Sequence, residues 1–172
     1  MVRSLHEGRF LALRERERWE YCERTNATGV VTIAALTPAR ELILTEQFRP
    51  PVRAAVFELP AGLAGDEPGT TEESLATAAR RELEEETGFR ALELVHVGRG
   101  PSSAGLTSEL IDFFIAPKTE RIGPGGGTAG ENITVHLVPI AAMGDWIQAR
   151  FEAGDLVDPK VLSGLWYLAR CG

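Results

Sequence analysis

One helix-forming segment stands among runs that are typical of β-strands, and this arrangement limits the folds open to the chain. The segment covers residues 70–88, and its apolar stripe consists of Leu75, Ala78, Ala79 and Leu83. Thr70 and Glu73 have the spacing of an N-terminal capping box, and Gly88 can end the helix. We therefore predict one well-defined helix that packs its apolar side against a sheet.

Runs rich in β-branched and aromatic residues predict the sheet. They span 28–36, 41–48, 54–59, 91–98, 109–116 and 132–138, and two further helices are predicted at about 140–152 and 159–169. Residues 10–24 carry charges on both alternating faces, so they fit either a strand ribbon or a helix. Strands interleaved with few helices predict an α/β (α+β) fold around a mixed sheet.

Composition excludes several function classes. The 172 residues include 18 Lys and Arg and 25 Asp and Glu, a formal charge of −7, which argues against a nucleic-acid partner. The two cysteines, Cys22 and Cys171, lie far apart and predict a reducing, cytoplasmic location without a disulfide framework. The first residues lack the apolar run of a signal peptide, and residues 30–36 are too short to span a bilayer, so no membrane partner is expected.

The segment Arg81–Phe89 carries the chemistry. Each helical residue advances by about 100°, so Glu82, Glu85 and Glu86 crowd one face within about 100°, while Glu84 points away. Such like charges repel one another unless Mg²⁺ or Mn²⁺ lies between them. Arg81 is spaced to form an ion-pair ladder with carboxylates one and two turns away. A solvated acidic face is the alternative for this segment taken alone.

The residues around this face resemble the signature of the Nudix hydrolase family. That pattern is Gly-x5-Glu-x7-Arg-Glu-apolar-x-Glu-Glu-x-Gly-apolar, and every fixed position from Glu73 to Phe89 is present. The candidate first glycine, Gly62, precedes Glu73 by ten intervening residues instead of five. A five-residue insertion around Pro68 accounts for this departure, because loops tolerate insertions, and it leaves the path of the 63–70 loop open.

Further motifs resemble the ADP-ribose/ADP-sugar pyrophosphatase branch of that family. They are Glu46–Pro51, Glu58–Leu63, Ser103–Glu109 and the Trp19-Glu20-x-x-x-Arg24 motif. Ala104 stands where the branch usually has proline, which weakens the assignment of ADP-ribose specificity. The resemblance implies a Nudix-type α/β/α sandwich over residues 27–172, an N-terminal β-ribbon extension over residues 1–26, and a homodimer formed through the ribbon.

The same resemblance implies a metal site and a catalytic base. Glu82, Glu85, Glu86 and the Ala61 carbonyl would bind Mg²⁺ or Mn²⁺, with Arg81 holding a carboxylate in place. Glu131 follows the glycine-rich stretch 123–130, which the composition predicts to be a flexible loop. Glu131 is expected either as the general base or as a solvated residue at the start of a strand.

Four more residues are candidates for binding substrate. Arg24 and Arg49 can hold phosphate or ribose oxygens, or else form exposed ion pairs. Trp19 can stack on adenine or pack at an interface. Glu58 is expected to help bind metal, to position substrate or to pair with Arg81.

The expected activity is the metal-dependent hydrolysis of ADP-ribose or a related nucleoside diphosphate sugar to AMP and a sugar phosphate. One alternative keeps the scaffold and changes the substrate to a dinucleoside polyphosphate, NADH or a GDP-sugar. The other is a non-catalytic nucleotide-binding domain, which the intact set of glutamates disfavours.

Overall fold

The computed structural model describes residues 1–66, 72–128 and 130–171. The strands in these residues are β1 Val2–Glu7, β2 Leu11–Arg16, β3 Trp19–Arg24, β4 Gly29–Ala35, β5 Glu41–Arg49, β6 Ala54–Glu58, β7 Ala61–Ala64, β8 Phe89–Pro101, β9 Leu110–Arg121, β10 Thr134–Pro139 and β11 Leu156–Val157. The helices are α1 Leu75–Thr87, α2 Met143–Ala153 and α3 Pro159–Cys171, with a 3-10 turn at Ile140–Ala142 before α2.

Two mixed four-stranded sheets form the centre of the fold, as the predicted α/β class requires. One has the order β7-β4-β9-β8 and the other β10-β5-β6-β11. The β4–β9 and β6–β11 pairs are parallel, and the other pairs are antiparallel. The α/β/α sandwich is confirmed, because α1 covers one face of the core and α2 and α3 contribute to the other.

Strand β4 shows why its sequence is apolar at nearly every position. Ile33 packs in the core half that contains Leu83 of α1, whereas Ala34 packs with Val161 of α3. Both faces of the strand are therefore buried, so a continuous apolar run replaces the alternation seen in half-exposed strands.

The N-terminal residues form a separate antiparallel sheet with the order β1-β2-β3. The predicted ribbon 10–24 is a hairpin that turns at Glu17 and Arg18, whose φ values of 53° and 71° are both positive, as a type I′ turn requires. Strand β1 was not predicted. Hydrogen bonds from Cys22 N to Leu106 O (2.8 Å) and from Ser108 N to Cys22 O (3.1 Å) attach β3 to the chain's own 102–109 loop.

The start of α1 differs from the prediction, and its end agrees. Ser74 is the N-cap, and its side-chain oxygen accepts from Thr77 N at 3.1 Å. The predicted cap Thr70 lies outside the described residues. The predicted capping box is wrong because Ser74 is the N-cap, so Glu73 precedes the helix and its carboxylate accepts hydrogen bonds from Arg81. A charged guanidinium makes a stronger partner than a backbone amide. Gly88 ends the helix with φ +71°.

Among the described residues, no helix is both long and apolar enough to cross a membrane.

Candidate active site

A cleft of about 380 Å³ opens between α1, β7 and the ends of β5, β6 and β9. Seven of the residues predicted from the sequence line it: Arg24, Arg49, Glu58, Ala61, Glu82, Glu86 and Glu131. The fold therefore brings together residues from four strands, one helix and one loop.

Glu86 lies at the bottom of the cleft, where only 4% of its surface is exposed. Its Oε2 accepts a hydrogen bond from Ala61 N at 3.1 Å. Burial raises the pKa of Glu86 to about 8, because a charged carboxylate loses its hydration there, and the Ala61 bond only partly opposes this shift. Nearby Glu82 and Glu131 raise the pKa of Glu86 further.

Glu82 lies one turn earlier on the same face of α1. Its Oε1 accepts from Leu63 N at 3.2 Å, so both carboxylates contact the backbone of β7. A Cβ atom at Gly62 would lie 2.0 Å from the Glu82 Cδ atom, so only glycine leaves room for this approach. Burial raises the pKa of Glu82 to about 7, against the opposing charge of Arg81.

Arg81 binds three carboxylates near the start and middle of α1, those of Glu73, Glu82 and Glu85. Its guanidinium donates to Glu73 at 3.1 Å, to Glu82 at 2.9 Å and to Glu85 at 3.2 Å, and also to the Leu63 carbonyl at 2.9 Å. The Arg81 hydrogen bond lowers the pKa of Glu73 below its usual value. The predicted ion-pair ladder is confirmed, and Glu84 turns away to Arg90 at 2.9 Å.

The acidic face fits a divalent cation in part. In the described parts of the chain, no three His, Cys, Asp or Glu side chains are already grouped as a complete cation cage. Glu85, the third candidate ligand of α1, is bound to Arg81. Glu82 and Glu86 nevertheless offer hard oxygen atoms beside the Ala61 backbone, and such oxygen atoms are the ligands that Mg²⁺ and Mn²⁺ prefer. These residues suit Mg²⁺ or Mn²⁺.

Two ion pairs form the opposite wall of the cleft. Arg49 donates to Glu58 at 2.7 Å, and Arg24 donates to Glu109 at 2.9 Å. Glu58 therefore pairs with Arg49 and not with Arg81, one of the partners considered from the sequence. Both arginines keep enough exposed surface, 40% and 31% of their side chains, to reach a ligand in the cleft.

The glycine-rich stretch before Glu131 is held more firmly than its composition predicts. Gly126 N donates to Glu86 O at 2.8 Å and Gly127 N to Glu85 O at 3.0 Å, so the loop binds the last carbonyls of α1. Glu131 Oε2 accepts from Thr128 N at 2.8 Å. A Cβ at Gly127 would lie 2.5 Å from the same Oε2 atom. The helix that carries Glu82 and Glu86 thus also fixes the position of Glu131.

Trp19 does not share this cleft with the carboxylates. It lies in another pocket, of about 330 Å³, together with Arg16, Tyr21 and Ser108. Its Nε1 donates to Gly105 O at 3.0 Å, while 62% of its surface stays exposed. The ring is therefore held at one edge and has a face free for stacking.

The cleft also contains polar residues that the sequence did not single out: Asp66, Ser102, Glu109 and Lys160. Glu109 ends the Ser103–Glu109 motif, which was a usable signal for it. Lys160 follows the cap of α3, and that position gives no sign that it faces β9 across the cleft.

Comparison with known proteins places this geometry in a family. A family model described as NUDIX domain matches residues 25–155. The chain is 37% identical over 90 residues to the ADP-ribose pyrophosphatase of Bacillus subtilis (strain 168). The matched residues are 51% of this chain and 45% of that protein. It is 29% identical over 164 residues to the GDP-mannose pyrophosphatase of Escherichia coli O9:H4 (strain HS), and this match covers 89% of this chain and 78% of that protein.

A solved structure described as an ADP compounds hydrolase has the same fold. The match covers 99% of this chain and 90% of the other, with a TM-score of 0.73 and 21% sequence identity. The chain spans about half the length, or less, of the first curated relatives that it matches, with 45% and 34% of two ADP-ribose pyrophosphatases covered.

Proposed function

Because the chain belongs to the NUDIX domain family, we propose that it is a divalent-metal-dependent pyrophosphatase. Its substrate is ADP-ribose or a related nucleoside diphosphate sugar, and its products are AMP and a sugar phosphate. The observation that carries this proposal is the cleft that half-buried Glu82 and buried Glu86 line together with Arg49 and Glu131. Carboxylates on one wall and guanidinium groups on the other suit a metal-bridged pyrophosphate.

Glu82, Glu86, Glu85 and the Ala61 carbonyl would hold Mg²⁺ or Mn²⁺. When bound, the metal supplies positive charge that neutralises the pyrophosphate and makes a bound water more acidic. Arg81 keeps Glu82 and Glu85 in place from behind. Burial disfavours the charged carboxylates without a cation, so the folded site favours the metal-bound form.

Arg49 and Arg24 position the substrate in this proposal. Each guanidinium is already oriented by a carboxylate, Glu58 or Glu109, and has further N–H groups to offer to phosphate oxygens. Holding the pyrophosphate against the carboxylate wall lowers the entropic barrier to attack.

Glu131 acts as the general base. A water oxygen adds to one phosphorus, the water proton passes to the Glu131 carboxylate, and the bond to the bridging oxygen breaks. The electron pair stays on the leaving phosphate, and the proton is later released to solvent. Glu131 lines the cleft, and its anchorage to Thr128 keeps one carboxylate oxygen fixed.

The N-terminal residues 1–26 form the dimer extension, and Trp19 stacks on the base of a substrate in the partner's cleft. The exposed ring of Trp19 supports this proposal, as does its position outside the cleft of its own chain. Light scattering should give twice the 18.7 kDa chain mass, and a monomer mass would contradict the dimer. Mixing inactive Trp19→Ala and Glu86→Gln chains should restore activity, whereas no recovery would leave Trp19 with its own subunit.

A second substrate class is favoured by one observation. The similarity to a GDP-mannose pyrophosphatase covers 89% of this chain, so the distal group of the substrate can be a hexose as well as a ribose. A panel of ADP-ribose, ADP-glucose, GDP-mannose, NADH and a dinucleoside polyphosphate, compared by kcat/KM, separates these substrates.

The deciding experiment measures AMP release from ADP-ribose with and without Mg²⁺. We expect turnover only with the metal. Binding of ADP-ribose without any release of AMP would instead support a non-catalytic nucleotide-binding domain.

A further inference from the structure

Strand β3 and the 102–109 loop are joined along the whole length of the strand. At one end, the indole N–H of Trp19 donates to a carbonyl of the loop at 3.0 Å. In the middle, Cys22 exchanges two backbone hydrogen bonds with the loop, at 2.8 and 3.1 Å. At the other end, Arg24 donates to the Glu109 carboxylate at 2.9 Å. A strand rises about 3.3 Å per residue, so the outer two contacts lie about 16 Å apart.

Hydrogen bonds within the loop join its tip to both of its ends. Ser102 N donates to Glu109 O at 3.2 Å, which closes the base of the loop. Leu106 N and Thr107 N both donate to Ser103 O, at 2.9 and 3.0 Å, and form the turn. Thr107 Oγ1 accepts from Glu109 N at 3.1 Å. A displacement of the tip therefore also displaces Glu109.

The base of the loop lies in the cleft. Ser102 and Glu109 line it together with Arg24. The Glu109 side chain is only 17% exposed, so it holds Arg24 from the protein side. A guanidinium has five N–H donors in one plane, so the bond at its Nε atom fixes the direction of the other four. The position of Glu109 therefore sets where Arg24 presents N–H groups to a phosphate.

Trp19 makes the contact with the loop that lies farthest along β3 from Arg24. Its indole has a single N–H, and the carbonyl that accepts from it is that of Gly105. A Cβ atom at Gly105 would lie 4.0 Å from Cζ2 of the ring, so the edge of the indole rests against the loop backbone. The N–H edge of the ring thus fixes the loop tip, while the exposed face is left for other contacts.

We propose that Trp19 is a positioning residue for Arg24 of its own chain, and that the 102–109 loop connects the two. The inference rests on the proposed pyrophosphatase function, in which Arg24 binds phosphate. It adds a role for the indole N–H that is separate from the stacking of the ring on a base. The N–H fixes the loop tip, the loop fixes Glu109, and Glu109 orients Arg24. Trp19 itself does not touch the phosphates.

A ligand without a base separates positioning from stacking. Methylenediphosphonate is a pyrophosphate analogue that resists hydrolysis and carries no nucleoside, so Trp19 can affect its binding only through the loop. Calorimetric titration in the presence of Mg²⁺ compares wild type with Trp19→Phe, which keeps an aromatic ring and removes the N–H. We expect the Kd to rise about three-fold or more. Trp166→Phe, at an exposed tryptophan of α3, is the matched control and should leave the Kd unchanged.

A double-mutant cycle tests whether the effect passes through Arg24. Arg24→Gln should raise the Kd by about ten-fold or more, because a charged phosphate contact is lost. Adding Trp19→Phe to Arg24→Gln should cause almost no further rise, since the group that Trp19 positions is then absent. Thermal melting of each variant verifies that the fold is intact.

A second variant acts on the loop without changing the ring. Thr107→Val keeps the size of the side chain and removes the hydroxyl that accepts from Glu109 N, so it should raise the Kd in the same way.

The outcomes separate the positioning role from the proposed activity. An unchanged Kd in both Trp19→Phe and Thr107→Val would overturn the positioning role. Additive effects of Trp19→Phe and Arg24→Gln, or no binding by wild type at millimolar concentration, would overturn it as well. If the predicted changes in Kd are found but no substrate releases AMP, the pyrophosphatase function fails and the positioning role stands.

Discussion

Helix α1 and the N-terminal sheet use charged residues in opposite ways. Arg81 of α1 binds the carboxylates of Glu73 and Glu82, whose side chains are 6% and 13% exposed, and that of Glu85, which is 33% exposed. Glu86 on the same helix is buried. In the N-terminal sheet, Arg14 pairs with Glu7 and Glu23, whose side chains are 63% and 40% exposed. Buried charges need partners and respond strongly to their loss, whereas exposed pairs are screened by water and contribute little.

The two regions also differ in how the backbone holds them. The end of α1 is fixed by the glycine-rich loop, through the bonds of Gly126 and Gly127 to the Glu86 and Glu85 carbonyls. The N-terminal sheet is attached mainly along β3, through Cys22 and the Trp19 bond to Gly105. The first region is built for fixed geometry. The second leaves large apolar side chains such as Phe10 and Trp19 exposed.

The largest effect is expected at the buried carboxylates. Glu86→Gln and Glu82→Gln should each lower kcat by three orders of magnitude or more, because a metal ligand is lost. The metal-free protein should keep or slightly gain stability, since folding no longer has to desolvate or protonate a carboxylate, and the stabilisation by Mg²⁺ should shrink. Thermal melting with and without Mg²⁺, alongside steady-state kinetics, checks both parts.

Glu84→Gln is the matched control, because Glu84 lies on the same helix and turns away to Arg90. It should retain normal turnover and Mg²⁺ response. Full activity in either buried variant would contradict the metal assignment.

A smaller effect is expected at the base. Glu131→Gln should lower kcat by about 100-fold and leave KM and Mg²⁺ binding nearly unchanged, since it removes a proton acceptor and no metal ligand. Single-turnover kinetics isolates the chemical step. An effect confined to a higher KM would show that Glu131 binds substrate and is not the base. Glu120→Gln, at an exposed position of β9, serves as the control.

The loop that positions Glu131 gives the next test. Gly127 has φ +82°, and a Cβ there would contact the Glu131 carboxylate. Gly127→Ala should therefore lower the free energy of unfolding by about 1 kcal/mol and reduce kcat by about ten-fold. Chemical denaturation and kinetics measure the two changes.

Gly144→Ala provides the opposite control in α2, where a Cβ would meet no other atom within 4 Å. Alanine favours a helix by up to about 1 kcal/mol over glycine, so this variant should be more stable and fully active. Equal behaviour of the two variants would show that the loop does not position Glu131.

The smallest effect is expected at Arg14, and comparing it with Arg81 separates the two kinds of charge. Arg14→Gln, in the exposed network of the N-terminal sheet, should leave the melting temperature and kcat unchanged within error. Arg81→Gln should lower the free energy of unfolding by about 2 kcal/mol, because Glu73 and Glu82 lose their shared partner. Equal destabilisation of the two variants would remove the contrast between the regions.

Much of α1 could be predicted because its information is local. The helical repeat alone places Glu82, Glu85 and Glu86 together and sends Glu84 away, and Gly88 ends the helix through its own backbone freedom. The apolar run in β4 likewise predicted a buried strand, and the structure buries both of its faces. Family resemblance added Ala61, Glu131 and the arginines, which the fold does bring to one cleft.

What only the tertiary structure decided depends on segments far apart in the chain. Glu58 pairs with Arg49 and not with Arg81, and Glu73 accepts hydrogen bonds from Arg81 instead of forming the predicted capping box. The glycine-rich stretch binds the end of α1. Lys160 reaches the cleft only because α3 packs beside β9. Composition and spacing determine which local conformations a segment prefers. They do not determine which distant partner offers the stronger charge or the open backbone group, since that choice is made when the sheets and helices pack.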